Sequence, residues 1–342
     1  MRLATSAPLP VLDQRVRDAV FYEQSVGSLI NPPESTGMGF WSINPYVGCE
    51  FGCTYCYARF THRYVVERAE TGGKLDAKAM GPHTGADAWK AFEHRIFVKR
   101  KESVMAALEK DLVRVLKRRA AGDDSEIVLG TATDPYQPAE RRFGLSRAIL
   151  ERLARERGLS IGIISKSPLI TRDIDVLKAL QQNNALSIRV SLITTDIRLI
   201  RILEARSPMP HARLRALARL TAAGLNAGLI VAPVLPAIND SVEQLDALLS
   251  AAKAANARFA HPAPLRLYSS IRDHFLPVID QHFPELAEKY RAAYRGFGNA
   301  PRPYAAALGR RFRRVALRYG IASGPQLPSP APRKQLGFWP EK

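Results

Sequence analysis

The sequence predicts an α/β fold: a partial (β/α)6 TIM-type barrel of parallel strands with a C-terminal helical extension. Three observations predict it. Short apolar runs alternate with amphipathic helical stretches from about residue 40 to residue 267. Six such βα units can be counted, fewer than the eight of a closed barrel. Polar residues gather just after the apolar runs, where the strands of such a barrel end and where its chemistry sits.

The elements follow in order. "FWSIN" (40–44) reads as a strand running into a cysteine-containing loop. Residues 102–119 carry Val104, Leu108, Leu112 and Val115 on one helical stripe. "EIVLG" (126–130) is a short buried strand, 145–157 a helix and "SIGIIS" (160–165) the next strand. A helix over 171–182 has Thr171 as its expected N-cap, and "SIRVSLIT" (187–194) is a strand. The helix over 212–224 ends at Gly224, in the C′ position that favours glycine. A strand over 226–235 and a helix over 241–256 precede a weaker strand at 258–267, where Pro262 and Pro264 suit only a sheet edge. The strand ends are polar: "TATDPYQPAE" (131–140), "SKSPLITRD" (165–173), Ser191 with Thr194 to Asp196, and Asn239 with Asp240. Residues 66–94 form an insert without a clear pattern. The expected organisation is an N-terminal extension (1–37), the barrel (38–270), a helical segment packed on it (271–323) and a Pro-rich tail (324–342).

Nearly half of the 342 residues are apolar, so the chain should form a large packed core. The first residues lack the apolar run of a secretory signal. No stretch approaches the ~20 apolar residues that span a bilayer. A soluble cytoplasmic protein is expected, with no membrane partner. Fifty Lys and Arg against 32 Asp and Glu give a net charge of +18, which favours polyanionic partners such as DNA or RNA.

All three cysteines, Cys49, Cys53 and Cys56, lie within "NPYVGCEFGCTYCYARF" (44–60), spaced C-x3-C-x2-C. An odd number of thiols makes no simple disulfide framework. Close thiolates on a loop containing Gly48 and Gly52 suit a metal. Structural zinc wants four ligands; the nearest histidine, His62, is six residues past Cys56 and can supply the fourth. An iron–sulfur cubane also takes thiolate ligands, and three of them would leave one iron open to a small molecule.

This spacing, with the aromatic Tyr55 before the last cysteine, resembles the signature of the radical S-adenosylmethionine (radical SAM) superfamily. The resemblance implies a [4Fe-4S] cluster on Cys49, Cys53 and Cys56, and S-adenosyl-L-methionine on the open iron. It implies reductive cleavage of that cofactor to a 5′-deoxyadenosyl radical, with an external reductant such as flavodoxin or ferredoxin. Tyr55 becomes an adenine contact, and Thr131, Thr133 and Asp134 lie where the methionyl amino group is usually met. Lys166 is placed to pair with the cofactor carboxylate, and Ser191 to bond the ribose. The runs "TDPYQPAE", "SKSP" and "EARSP" (204–208) resemble the branch related to spore photoproduct lyase, often described as DNA repair photolyase-like. That branch implies DNA repair and lyase chemistry, with Tyr136, Gln137 and Glu140 facing the substrate and Asp134 and Tyr136 as catalytic candidates. One departure stands out. Spore photoproduct lyase returns a hydrogen atom from a further cysteine near the second strand end, where this chain has Thr131. Tyr136 and Tyr268 are the tyrosines considered as substitutes.

Two basic stretches, "HRIFVKRK" (94–101) and 295–320, are the expected nucleic-acid contacts. In the second, Tyr304, Phe312 and Tyr319 are interleaved with arginines that an amphipathic helix would leave in solvent. The alternatives are a radical SAM enzyme acting on a peptide, tRNA or a small metabolite, and a non-catalytic metal-stabilised nucleic-acid-binding protein.

Overall fold

The computed structural model describes residues 11–14, 19–72, 85–296 and 298–325. Its strands are β1 (Val11–Gln14), β2 (Val20–Gln24), β3 (Ile30–Asn31), β4 (Trp41–Ile43), β5 (Tyr46–Val47), β6 (Arg95–Lys99), β7 (Ile127–Leu129), β8 (Ser160–Ser165), β9 (Ala185–Ser191), β10 (Ala227–Val234) and β11 (Ala260–Pro264). The main helices are α1 (Arg59–Thr71), α2 (Lys101–Ala120), α3 (Leu145–Leu153), α4 (Ile174–Asn183), α5 (Ile197–Leu203), α6 (Pro210–Ala222), α7 (Val242–Ala254), α8 (Ser269–His282), α9 (Ala287–Ala293) and α10 (Arg302–Arg318).

The large sheet has the order β11-β10-β9-β8-β7-β4-β3. From β4 to β11 every neighbouring pair is parallel, and only β3 runs antiparallel. Each strand lies beside the one formed before it, which is the winding of a barrel rather than of a doubly wound sheet. The expected six-stranded parallel barrel segment is therefore present, and it is open.

Side-chain parity separates its two faces. Ile127, Leu129, Ile161, Ile163, Leu186, Ile188, Val190, Leu229 and Val231 join the apolar core with the helices. The alternate positions face the other way and include the small or polar residues Ser42, Gly130, Gly162, Ser187, Arg189 and Ser191 beside the apolar Val128, Ile164 and Ile230. At the lower end of that inner face Glu126 holds Arg189 by two contacts of 2.7 Å and accepts from Ser187 Oγ at 2.9 Å. Gly162 makes room for this pair, since a Cβ there would lie 2.5 Å from Arg189 Nη1. At the upper end Gly130 closes β7 at φ +94°, with a Cβ position only 2.5 Å from the Ile164 carbonyl oxygen.

The second sheet has the order β1-β2-β6-β5. The sequence signals do not show it, because β5 has two residues, β2 precedes the alternating βα pattern and β6 reads only as a basic cluster. Residues before position 38 thus join both sheets, β2 beside β6 and β3 beside β4. Asp111 of α2 secures that passage by accepting from Leu29 N at 2.6 Å and Ile30 N at 2.9 Å.

Other expectations shift locally. The helix expected over 145–157 ends at Leu153. Thr171 is not an N-cap; it sits inside a 3₁₀ turn, Pro168–Asp173, which is capped by the Ser167 hydroxyl. Gly224 adopts φ +83° after α6, and the Leu225 and Gly224 amides bond back to the Leu220 and Thr221 carbonyls at 3.1 and 3.0 Å. Strand β11 pairs only with β10 in the sheet, as its prolines require, and its outer edge is covered at Phe259 and Ala260 by Ala322. The C-terminal α10 packs Phe312, Val315 and Leu308 inward. The insert contributes α1 and a 3₁₀ turn, Gly85–Ala91; its residues 73–84 and the tail from 326 lie outside the described residues. Among the described residues no helix is long and apolar enough to cross a membrane.

Lys99 corrects the first basic stretch. It is not a surface cation, for it ends β6 buried, with Nζ donating to the Asn44 carbonyl at 2.5 Å. Burial lowers its pKa from 10.5 to about 8. Between these values the unfolded chain holds more protons than the folded one, so this group makes stability rise with pH across that window. Denaturant unfolding as a function of pH should show the rise in the wild type and a flatter profile in Lys99→Met. Equal slopes would mean that Lys99 keeps its charge in the fold.

Candidate cofactor site

The cysteine loop follows β5 and reaches α1 through successive tight turns. Gly52 N donates to Cys49 O at 3.2 Å, Cys56 N to Cys53 O at 3.2 Å, and Arg59 N to Cys56 O at 3.3 Å. Each cysteine therefore opens a turn, and the three thiols come close enough to affect one another's ionisation. Gly48 starts the loop at φ +89°, where a Cβ would lie 2.7 Å from the Phe92 carbonyl oxygen; no side chain fits there.

The loop is held on three sides. From the turn before β6, Phe92 O accepts from Cys49 N at 3.0 Å. From the end of β7, Thr133 Oγ1 and Gln137 Nε2 donate to Gly48 O at 2.6 and 3.2 Å, and Gln137 Oε1 accepts from Glu50 N at 2.9 Å. From the turn after α5, Leu203 O accepts from Thr54 N at 3.0 Å, and Ser207 Oγ lies 3.6 Å from Cys53 Sγ. Arg59, fully buried at the start of α1, pairs with Glu93 at 2.6 Å and reaches Cys53 O at 3.4 Å.

Beside the thiols lies a buried charge cluster. Glu204 is fully enclosed and meets the Tyr55 hydroxyl, the Arg213 guanidinium and, at 3.4 Å, Lys166 Nζ. Lys166 Nζ also donates to Ser191 Oγ at 2.9 Å and lies 5.6 Å from the Tyr55 ring centroid. Burial opposes the Glu204 charge, yet Arg213 and Lys166 hold its pKa down at about 2. Burial likewise opposes the Lys166 charge, but Glu204 and the neighbouring Cys53 keep its pKa above the usual lysine value. Burial pushes all three thiols up, Cys53 to about 12, against the pull of Lys166 on Cys53 and of Arg59 on Cys56.

The residues singled out in the sequence separate into two groups. Tyr55, Lys166 and Ser191 come together beside the cysteines. The second-strand residues instead hold the frame. Thr131 Oγ1 is bound to Ser42 Oγ at 2.6 Å and Asn44 Nδ2 at 3.0 Å. Thr133 bonds to Gly48 as above. The Asp134 carboxylate is filled by Lys166 N at 2.7 Å, Ser165 Oγ at 2.8 Å and Tyr136 N at 2.9 Å. Tyr136, Gln137 and Glu140 were expected to face a substrate space, and they do not: all three are fully buried. The Tyr136 hydroxyl is enclosed near Asp173, Glu140 and Arg172. Glu140 accepts from the Tyr46 hydroxyl at 2.5 Å and from Ser146 N at 3.0 Å. Tyr268 is 38% exposed and lies with Arg266 near Tyr57, whose hydroxyl donates to Thr131 O.

Sequence reasoning gave no role to Glu204, Arg213, Arg59 or Tyr57. Glu204 was visible only as the first letter of "EARSP", and its pairing with Tyr55, 149 positions away, leaves no local trace.

The donor set suits a cubane. Among the described residues no three His, Cys, Asp or Glu side chains form a group able to hold a single metal ion. A cubane does not require one, because its thiolates bind different irons. His62 makes a poor fourth zinc ligand, being buried with its ring against Phe92 and Phe97 at centroid distances of 5.9 and 5.4 Å.

Glu204→Gln keeps the shape of the side chain but leaves the Arg213 charge buried and unmatched, which should cost about 3–5 kcal/mol. The stabilisation due to Glu204 is complete above its ordinary pKa of 4.5 and is lost as pH falls toward about 2. Acid unfolding of Glu204→Gln should lack that component, and adding Arg213→Met should recover part of the loss. A variant as stable as the wild type at neutral pH would refute the role of this pair.

A family model described as the radical SAM superfamily matches residues 43–249. The uncharacterized protein Rv2578c of Mycobacterium tuberculosis is 35% identical over 312 residues, 91% of this chain and 84% of that protein. The uncharacterized protein MJ0683 of Methanocaldococcus jannaschii is 26% identical over 211 residues, 62% of this chain and 66% of that protein. Among solved structures, a cysteine-to-serine mutant of spore photoproduct lyase aligns with a TM-score of 0.60 at 13% identity, over 87% of this chain and 79% of that one. The same lyase complexed with dinucleoside spore photoproduct aligns with a TM-score of 0.59 at 13% identity, over the same shares. The fold of spore photoproduct lyase is thus shared at low identity, and the match across the cysteine loop and four of the six parallel strands settles the family: this chain belongs to the radical SAM superfamily.

Proposed function

We propose that this protein is a radical SAM enzyme that cleaves S-adenosyl-L-methionine reductively at a [4Fe-4S] cluster and acts on nucleic acid in a DNA repair-like reaction. The observation that carries the reading is the cysteine loop itself, with three thiols grouped beside Tyr55, Lys166 and Ser191. Cys49, Cys53 and Cys56 would hold the cluster, which together with S-adenosyl-L-methionine supplies a 5′-deoxyadenosyl radical able to abstract hydrogen. A structural neighbour, a spore photoproduct lyase mutant, has bound AdoMet and dinucleoside spore photoproduct.

This chain's own residues do the rest. Lys166, kept charged by Glu204, offers a cation to the cofactor carboxylate. Ser191, on the same inward parity, offers a hydroxyl to the ribose. Tyr55, anchored by Glu204, presents its ring as a stacking face. Asp134 acts indirectly, fixing the Lys166 backbone to the end of β7. Thr131 and Thr133 brace the floor and the loop. The net charge of +18 supports a polyanionic substrate. An external electron donor, such as a flavodoxin or ferredoxin, completes the requirement for reduction.

The test is formation of 5′-deoxyadenosine by anaerobically reconstituted protein with dithionite, with and without ultraviolet-damaged DNA. Nucleoside that rises with damaged DNA is expected. Nucleoside indifferent to every nucleic acid would remove the substrate assignment, and none at all from protein with a verified cluster would remove the enzyme. Alanine at any one of Cys49, Cys53 or Cys56 should abolish both the cluster absorbance and the nucleoside. Because the Tyr136 hydroxyl is sealed away from the thiols, Tyr136→Phe should retain cofactor cleavage within about two-fold, well under the ~10-fold that 1.4 kcal/mol would produce; a block of turnover would restore Tyr136 as a reacting residue.

A further inference from the structure

The two basic stretches read from the sequence are not the ones that meet the site. The first is partly buried in β6, with Lys99 turned inward. The second lies on α10, which packs outside the barrel against α7 and β11. A third basic segment, 197–219, escaped notice because its charges are spaced by apolar residues rather than clustered.

Residues 197–219 contain six arginines, Arg198, Arg201, Arg206, Arg213, Arg215 and Arg219, and one acidic residue, Glu204. Glu204 and Arg213 neutralise one another in the interior, both fully buried. The other five arginines are exposed, and none has a carboxylate within ion-pair distance among the described residues. Asp196, which directly precedes the segment, is occupied as the N-cap of α5, accepting from Arg198 N at 2.7 Å and Leu199 N at 3.3 Å. Arg201 precedes, and Arg206 lies within, the stretch 203–207 that touches the cysteine loop, through Leu203 O to Thr54, Glu204 to Tyr55 and Ser207 to Cys53. Arg198 lies three residues before Arg201, on the same side of α5. Leu199, Ile200 and Leu203 bury the opposite side.

We propose that Arg198, Arg201 and Arg206 form the rim that grips the phosphate backbone of a nucleic-acid substrate and sets its reacting nucleotide over the cysteine loop. This rests on the reading that the substrate is nucleic acid, and it specifies the face. Exposed guanidinium groups without competing carboxylates suit phosphate contacts; Arg201 Nη1 donates to the Ala205 carbonyl at 3.1 Å, which leaves its other N–H groups for a phosphate. Exposed Arg266 and Tyr268 stand near Tyr57, immediately after Cys56, and offer a second cation and an aromatic ring beside the loop. A strand held by both sets of groups passes the thiols. Arg215 and Arg219, on the outer side of α6, continue the basic track away from the mouth. The buried Glu204–Arg213 pair then serves a second purpose: it ties the basic rim and the cysteine loop to the same anchor, so that the bound backbone and the reactive centre keep a fixed offset.

The experiment is fluorescence anisotropy of labelled oligothymidylate, single-stranded and in duplex, titrated with reconstituted protein over a range of salt. Compared are the wild type, Arg198→Gln/Arg201→Gln/Arg206→Gln, its three single variants, and Arg310→Gln/Arg313→Gln/Arg314→Gln on α10. Each lost phosphate contact should flatten the slope of log K against log salt by about 0.7 on a single strand. The rim variant should therefore lose about 2 from the slope, bind more weakly, and keep its thermal midpoint and its uncoupled 5′-deoxyadenosine formation with dithionite. The α10 variant should bind as the wild type does. An unchanged slope in the rim variant, with the wild type still binding, would overturn the rim while leaving the nucleic-acid reading intact. A slope lost only in the α10 variant would do the same. If the wild type shows no salt-dependent binding, the nucleic-acid reading itself fails. If the rim variant binds DNA normally but is reduced more slowly by flavodoxin, the face is an electron-donor dock and the proposal is wrong.

Discussion

The site depends on one buried carboxylate. Glu204 is enclosed, and an isolated charge there would be prohibitively costly. It is tolerated because Arg213, Lys166 and the Tyr55 hydroxyl surround it. Each partner belongs to a different part of the chain: Arg213 to α6, Lys166 to the end of β8, and Tyr55 to the cysteine loop. A carboxylate with three partners fixes three segments at once, since losing any partner leaves part of the buried carboxylate without its hydrogen bonds or counter-charge. The network carries one carboxylate against two cations, so a positive charge remains beside the thiols. Their ionisation is otherwise opposed by burial. A group that demands thiolates and carries negative charge of its own is suited to such surroundings.

The opposite flank has the same construction. Arg59 and Glu93 pair behind the loop, and Arg59 bonds the Cys53 carbonyl. The loop is thus clasped between two ion pairs that share no residue, while the second sheet and the Thr133–Gln137 segment hold its beginning at Gly48. A loop with two glycines at positive φ would otherwise be mobile. The tethers make up for the freedom that the tight turns require.

What could be read from the sequence follows from the range of the signals. The parallel strands were legible because each is a short apolar run between helices, and the local period carries that information. The cysteines, Tyr55, Lys166 and Ser191 were legible because a spacing or a strand end marks them. The second sheet was not, since β5 has two residues and β2 pairs with β6 across 75 positions. Tyr136, Gln137 and Glu140 misled because a polar run after a strand signals a cavity, whereas here it wraps around the barrel rim and is consumed by Gly48, Glu50, Tyr46 and Arg172. Glu204 was hidden because a buried ion pair is a property of the tertiary fold alone.

The same bonds bear on how far the likeness to spore photoproduct lyase can extend. If a radical left on a product is to be quenched as in that lyase, a weak X–H bond must stand near the end of the second strand. All three cysteines of this chain lie in the cluster loop. The second strand end carries Thr131, whose hydroxyl is already engaged by Ser42 and Asn44 and whose O–H bond is strong. Gly130 before it cannot gain a side chain without meeting the Ile164 carbonyl. This corner closes the upper end of β7, where a hydroxyl already bound and a glycine without room for a Cβ stand in place of a thiol donor. The phenols nearest the thiols are Tyr55, bound to Glu204, and Tyr57, bound to the Thr131 carbonyl. If the proposed radical chemistry takes place here, its last hydrogen transfer has no cysteine outside the loop to draw on in this chain, and the hydrogen-bearing groups that the site offers in its place are the phenols of the loop itself, Tyr55 and Tyr57.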